Sequence, residues 1–442
     1  MGTNISAPKK ERNYLIELMK VFWAFLVVVI HVSAQILGPL GLTDTAAVRG
    51  ATNPAVQYSF FYNGSAPLLG MSGTLTIGIF LFLSGYAIVN EFKKNQRRGV
   101  IGKGKNAVIV GKLAVKNWSA YVPYLFFGTL YGFVLYHVLF PAFRDIKVVA
   151  AHFVTSFLQF VGLYGAGDNH AFKGAQQVVG LTAEAPNTVI SSLLEYDGPL
   201  WYMFALVWCG VMMYAMLVAS ENITLFLAGP LMWSVYTCLG GSATVMSNIQ
   251  SLGIYIRWPI LMGMMMLGVW GWYCVDWLKK LEVTKKGKAG LTVLVLVIFA
   301  LFVHNLIFYY GGMNLTDIFT SILAVLVLAQ KDYVTVGINK FLNKLPFMKY
   351  CSNLSLAMYV MHFPTMCAFR VMVDYGEYKP VTDWLLSHTN DQIILIMLGL
   401  TLIMCIPFFI YDKFCAKKFI AWFHKISKCT EPVVIEAPKA EA

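Results

Sequence analysis

Apolar runs long enough to cross a bilayer recur ten times, at about residues 16–37, 66–91, 118–141, 199–219, 223–240, 252–277, 289–310, 315–330, 351–373 and 392–413. A hydrocarbon core of roughly 30 Å takes about 20 helical residues to span. No water is available there, so a crossing segment must satisfy its own backbone N–H and C=O groups. The chain is therefore expected to be all-α, a polytopic membrane protein with about ten transmembrane helices. Composition agrees, since only 13% of residues are charged against roughly 25% in soluble proteins. The short eighth run and the fifth, which holds Pro230, are candidates for tilted or broken helices. A shorter segment from about Val148 to Leu163, interrupted by His152 and Gln159, reads as an extracytoplasmic interfacial or re-entrant helix.

The distribution of charge gives an orientation. Of the 34 Lys and Arg residues, 27 fall on one side if the N-terminus is cytoplasmic and the ten runs alternate. That bias predicts both termini inside and requires the Val148–Leu163 segment not to cross. It also explains the net charge of +12 as topology, so no nucleic-acid partner is expected. Val32-Ser33-Ala34 loosely imitates a signal-peptide cleavage site, a rival reading that would remove the first run. Residues 1–413 are expected to form one transmembrane domain. Residues 414–442, basic and then acidic with Pro432 and Pro438, are expected to be a disordered cytoplasmic tail. The extracytoplasmic stretch from about Ala142 to Pro199 is long enough to cover a substrate entrance. Eight cysteines without C-x-x-C or a His-paired zinc spacing read as small apolar residues, and no metal is expected.

Ionisable residues inside such runs are costly, which makes them functional candidates. Lys20 and His31 are eleven residues apart, so they share a helix face, with His31 roughly 16 Å deeper. Glu17 can pair with Lys20 across one turn. A snorkelling Lys20 and a packed, hydrogen-bonded His31 would explain the same pattern without function.

Tyr14-Leu15-Ile16-Glu17-Leu18-Met19-Lys20, ten residues and then His31 resembles the opening signature of the acyltransferase 3 family of membrane acyltransferases. In that family a basic residue, usually Arg, precedes a catalytic His by the same interval. Three further stretches are similar to its motifs, in order: Phe80-Leu81-Phe82-Leu83-Ser84-Gly85-Tyr86, then Pro199-Leu200-Trp201-Tyr202-Met203, then the stretch from Leu354 through Ser355, Tyr359 and His362 to Pro364. The chain departs from the usual pattern by carrying Lys at position 20 and by having no Arg pair before Pro123, where many members have an Arg-rich stretch, and the C-terminal hydrolase-like domain that some members carry is not expected here. Lys20 keeps the charge but loses the planar guanidinium fork.

The resemblance implies transfer of an acyl group, acetyl by the family's habit, from cytoplasmic acyl-CoA to a hydroxyl of an envelope or exported glycan. Acyl-CoA would be a co-substrate, with no bound cofactor, and the expected setting is a multi-pass cell membrane, the bacterial plasma membrane. A neutral imidazole suits proton removal near pH 7, which gives His31 the role of base, with Lys20 and Glu17 ordering the approach. Lys112 and Lys116, in the basic stretch after Lys93, are candidates for the CoA phosphates, with Ser84 beside them; an ordinary positive-inside loop would look the same. His362, Trp201 and Asp197 are candidates for the acceptor side, where aromatic faces and carboxylates suit sugars. Whether His31 acts as base or carries the acyl group stays open. So do a polysaccharide or solute carrier, which would also need buried ionisable groups, and a non-catalytic assembly scaffold.

Overall fold

The computed structural model describes residues 12–38, 40, 42, 73–102, 104–139, 144, 146, 149, 150, 153, 201–228, 258–308, 312–374 and 379–433. Every regular element among them is helical. In chain order they are α1 (Tyr14–Val32), α2 (Gly73–Arg97), α3 (Asn106–Leu139), α4 (Trp201–Ala219), α5 (Glu221–Phe226), α6 (Trp258–Lys280), α7 (Lys285–Phe308), α8 (Gly312–Ala329), α9 (Tyr333–Leu342), α10 (Cys351–Asp374), α11 (Lys379–Leu386), α12 (Asn390–Tyr411) and α13 (Lys417–Ser427). Five-residue π turns follow α1 and α12, and a 3-10 turn leads into α10.

Long helices occupy nine of the ten apolar runs. They extend past the runs at their basic ends, as α2 does to Arg97 and α3 from Asn106, because helical hydrogen bonding continues beyond hydrocarbon length. Residues 229–240 of the fifth run and most of the Val148–Leu163 segment lie outside the described residues. By length and composition, three described helical stretches can cross a membrane: Tyr14–Leu37, Lys285–Asn305 and Asn390–Ser427. A fourth is possible if Ile318–Ala329 and Tyr333–Leu342, bent by 71°, form one broken span. That break, at residues 330–332, falls at the end of the short eighth run.

Polar contacts gather the helix ends on one face, called here the basic face. Asn13 caps α1 by accepting from the Ile16 N–H and donates to the Val327 carbonyl at 2.8 Å, while the Tyr14 N–H donates to Asn339 Oδ1 at 2.8 Å. These bonds tie the start of α1 to the end of α8 and to α9. The Lys331 ammonium reaches the Leu281 carbonyl at 3.0 Å. Glu221 accepts from Lys93 at 2.5 Å, from the Tyr273 hydroxyl at 2.6 Å and from Gln96 at 3.1 Å, which joins α2, α5 and α6. Glu221 lies between apolar runs, and its partial burial acts to raise its pKa. The three hydrogen bonds and the Lys93 charge outweigh burial and hold the carboxyl below its ordinary value.

Five helices close a ring: α1 packs on α2, α2 on α4, α4 on α3, α3 on α10 and α10 back on α1. α6, α7 and α8 lie outside α2, and α12 lies against α10 and α1. Lipid tails are as apolar as leucine, so such helices associate through close packing rather than a hydrophobic drive. The tightest contact is α2 against α6. A Cβ on Gly85 would strike the Met265 carbonyl oxygen, and one on Gly268 would strike the Phe82 carbonyl oxygen. The Ser84-Gly85 motif thus has a packing reason, because only glycine permits this backbone approach.

The expectation of a disordered tail from residue 414 needs correction. After α12 the helix passes through the π turn Asp412–Ala416 into α13, and described chain continues to Val433. Buried Asp412 fixes the junction, accepting from the Tyr124 hydroxyl at 2.7 Å, Asn353 at 3.1 Å and Lys417 at 2.5 Å. The sequence looked polar enough for disorder because its lysines mask an apolar stripe, Phe419, Trp422 and Ile426, that a helix collects on one face.

Candidate active site

α1 and α10 run side by side from the basic face, and their shared seam carries the site. Leu18 and Phe22 are exposed and mark the outer face of α1. His31 is nine residues beyond Phe22, half a turn around the helix, so it faces inward. Lys20 lies on nearly the same face at the basic end, and its ammonium sits 2.5 Å from the Glu17 carboxylate. Arg12 reaches the other Glu17 oxygen at 3.3 Å. The expected pairing of Lys20 with Glu17 is therefore present, with a second cation on the same acid.

Deeper in the seam, His31 and His362 meet. His31 Nδ1 lies 3.1 Å from His362 Nε2, and the ring centroids are 4.8 Å apart. Phe363 meets the His31 ring edge-on at 5.4 Å, and the Tyr359 ring lies 5.9 Å from His362. His362 is fully buried. Pro364 stands in the middle of α10 and has no N–H to return to the Val360 carbonyl.

Hydrogen-bond partners fix the neutral tautomers. His362 Nδ1 is 2.9 Å from the Met358 carbonyl, which can only accept, so Nδ1 carries the proton and Nε2 presents a lone pair. His31 Nδ1 faces two acceptors, that lone pair and the Val27 carbonyl at 2.9 Å. It must therefore be the N–H nitrogen, and His31 Nε2 is left unprotonated. The result is a relay from carbonyl through one imidazole to the next, ending in a basic nitrogen.

Further polar pairs continue the seam away from the basic face. Thr365 donates to the Met361 carbonyl at 2.8 Å, so at 3.1 Å the Tyr131 hydroxyl of α3 donates to Thr365 Oγ1. The Arg370 guanidinium donates to Gln35 Oε1 at 2.7 Å. Gln35 sits within the π turn directly after His31, and such turns often mark functional sites. Helical side chains lean toward the N-terminus, so Arg370 reaches back along α10 toward the level of the histidines.

A second feature lies at the basic face. A cavity of about 180 Å³ opens between the end of α2, the start of α3 and residues 429–433. Lys94, Arg98, Lys112 and Lys116 line it, with Glu91 and Glu431 as its acids. Glu91 sits 3.8 Å from Lys94 and 4.0 Å from Lys116, and Lys112 donates to the Glu431 carbonyl at 3.1 Å. Four cations against two carboxylates leave the cavity net positive, a lining whose charge is complementary to phosphate.

The structure thus brings His31 together with His362, Lys20 with Glu17, and Lys112 with Lys116. Ser84 does not join the cavity: it is seven residues from Glu91, about 10 Å farther along α2. Trp201 begins α4, but its side chain and all of Asp197 lie outside the described residues. Sequence reasoning missed Gln35 and the wall at residues 429–433. A π turn leaves no mark in the residue pattern, and nothing in the tail's composition points to α3.

The chain matches the Acyl_transf_3 family model, described as an acyltransferase domain, over residues 13–412. It belongs to that family and is a membrane acyltransferase. The match begins at the Asn13 cap of α1 and ends at Asp412, so it takes in the whole seam. Searches of curated proteins and of solved structures find no match to the chain.

Proposed function

We propose that the protein is an O-acyltransferase that takes an acetyl group from acyl-CoA at the basic face and delivers it to a hydroxyl of an envelope or exported glycan on the other side. The observation that carries this reading is the tautomer relay, which leaves His31 Nε2 as a base inside a family of acyltransferases. The chain is read as crossing the membrane ten times, with both termini on the cytoplasmic side.

The basic cavity suits the phosphates of the donor, with Lys112, Lys116, Lys94 and Arg98 as point charges. From the level of Lys20 to His31 is about 16 Å along α1, a depth that an extended pantetheine arm covers. Lys20, held by Glu17, keeps the mouth of the seam cationic. On the acceptor side Tyr131, Gln35 and Arg370 supply polar groups near the histidines, and Trp201 and Asp197 are assigned to the sugar.

In the reaction His31 Nε2 removes the acceptor hydroxyl proton as the oxygen attacks the thioester carbonyl. The C–O bond forms, the C–S bond breaks, and the departing thiolate takes the proton back from His31 as CoA thiol. During the step His31 is an imidazolium whose Nδ1–H points at the His362 lone pair, so the charge is hydrogen-bonded where it develops. His362 is thus a positioning residue that, together with the Val27 carbonyl, orients the Nδ1–H of His31.

The test is CoA thiol release by the protein in liposomes supplied with acetyl-CoA, with and without extracted envelope glycan. Release that requires the glycan is the expected result. Solute movement without any CoA release would replace the enzyme reading with a carrier.

A further inference from the structure

The end of the chain presents a surface that the histidine seam does not account for. None of the residues of α13 is buried. Cys415, Phe419, Trp422 and Ile426 are exposed, and their spacing places them within about 60° on one helix face. Ile420, Phe423, His424 and Ser427 occupy the opposite face and are half-buried. That face rests on α3, where His424 Nε2 lies 3.0 Å from Ser119 Oγ and the Phe423 ring 6.4 Å from Trp118. Exposed Lys418 and Lys425 flank the outer stripe, and exposed Lys413 and Lys428 stand at its ends.

Three observations say what covers the stripe. First, it borders the exposed apolar ridge of α3 formed by Trp118, Phe126, Leu130, Val134 and Val138. Their spacing by multiples of four makes a ridge that winds along α3, exposed apolar surface that meets lipid in a membrane chain. Second, α13 follows α12 after a single π turn and packs on α3 at Trp118 and Ser119, so it starts where α12 ends, beside that ridge. Third, residues 413–430 contain lysines and no acid, a charge pattern complementary to anionic headgroups.

We infer that α13 is an interfacial anchor seated on anionic lipid at the basic face, and that this seating holds residues 429–433 in place as a wall of the basic cavity. The chain leaves α13 through Lys428 in the left-handed region, with φ of 51°. A lysine rarely adopts that conformation, and here it turns the chain back onto α3. The Glu431 N–H then donates to the Lys428 carbonyl at 3.1 Å, Cys429 is buried, and the Glu431 carbonyl receives the Lys112 ammonium. A helix fixed to the membrane thereby fixes a strap across the cavity mouth. The inference does not depend on what the cavity binds.

Hydrogen–deuterium exchange of the full chain tests it, in vesicles of phosphatidylcholine alone and in vesicles that also contain phosphatidylglycerol. Exchange across residues 419–433 is expected to be at least about tenfold slower with phosphatidylglycerol, since each lysine near an anionic surface adds to the attraction. The triple variant K418Q/K425Q/K428Q should lose that difference, and K418R/K425R/K428R should keep it. W422S/I426S should exchange faster in both vesicles. Equal exchange of the wild type in the two vesicles, or a difference that survives the triple Gln variant, would overturn the inference.

Discussion

His362 Nε2 lies 3.1 Å from His31 Nδ1, although 331 residues separate the two in sequence. Each histidine also faces a backbone carbonyl one turn earlier in its own helix, Val27 for His31 and Met358 for His362. The pair is thus oriented from both ends. The two residues should act as a unit, and their substitutions should not add.

Replacing His362 by Ala removes one of the two acceptors that orient His31 Nδ1–H, leaving the Val27 carbonyl and the base itself. The turnover rate is expected to fall about 10- to 100-fold, the scale seen when the group that orients a functional histidine is lost. With His31→Ala already present, adding His362→Ala should cost little more. Steady-state transfer rates of the two single variants and the double variant check this.

At the basic cavity, K112Q/K116Q removes two of four cations without touching the seam. KM for acyl-CoA should rise about tenfold, with kcat within about twofold, because a contact made equally in ground and transition states affects binding alone. Added salt should raise the wild-type KM and narrow the gap between the two proteins. An unchanged KM would place donor binding elsewhere.

Much of this was legible before the fold. The apolar runs gave nine of the long helices, because hydrocarbon permits little other than helix, and the eleven-residue interval put Lys20 and His31 on one face. Pairing of His31 with His362 was not legible, since helix period says where a residue sits on its own helix and nothing about which helix lies opposite. The tail misled for a related reason: Lys417, Lys418 and Lys425 dilute its hydropathy, yet they interleave with Phe419, Trp422 and Ile426 at helical spacing. Gly85 was visible as part of a motif, but the Met265 carbonyl that requires it was not.

Packing between α2 and α6 gives a paired prediction. Gly268→Ala places a methyl group against the Phe82 backbone and should cost about 1–3 kcal/mol, the range for overpacking a tight contact. Gly111→Ala, on α3, meets nothing within 4 Å and should be neutral or slightly stabilising, since Ala favours helix by about 1 kcal/mol. Thermal unfolding midpoints in one detergent distinguish the two.

The Glu221 junction sets an acid limit. Its folded-state pKa lies below the ordinary value, so the stability it contributes is fully present above the unfolded-state pKa, near 4.5. That contribution is lost as pH falls through the lower folded-state value. Glu221→Gln should flatten the decline in stability below about pH 4.5. A melting series of wild type and variant between neutral and acid pH reads this directly, and parallel curves would contradict it.

Acyl transfer by His31→Gln tests the central claim most directly. The variant keeps a polar side chain in the seam but has no basic nitrogen to offer the acceptor. With radiolabelled acetyl-CoA and envelope glycan, the account predicts that label transfer falls about 100- to 10,000-fold, the worth of a positioned general base. Donor binding should stay within about twofold of wild type, since the basic cavity is untouched. Transfer at near wild-type rate by correctly folded His31→Gln would contradict the account, because His31 could not then be the group that takes the acceptor's proton.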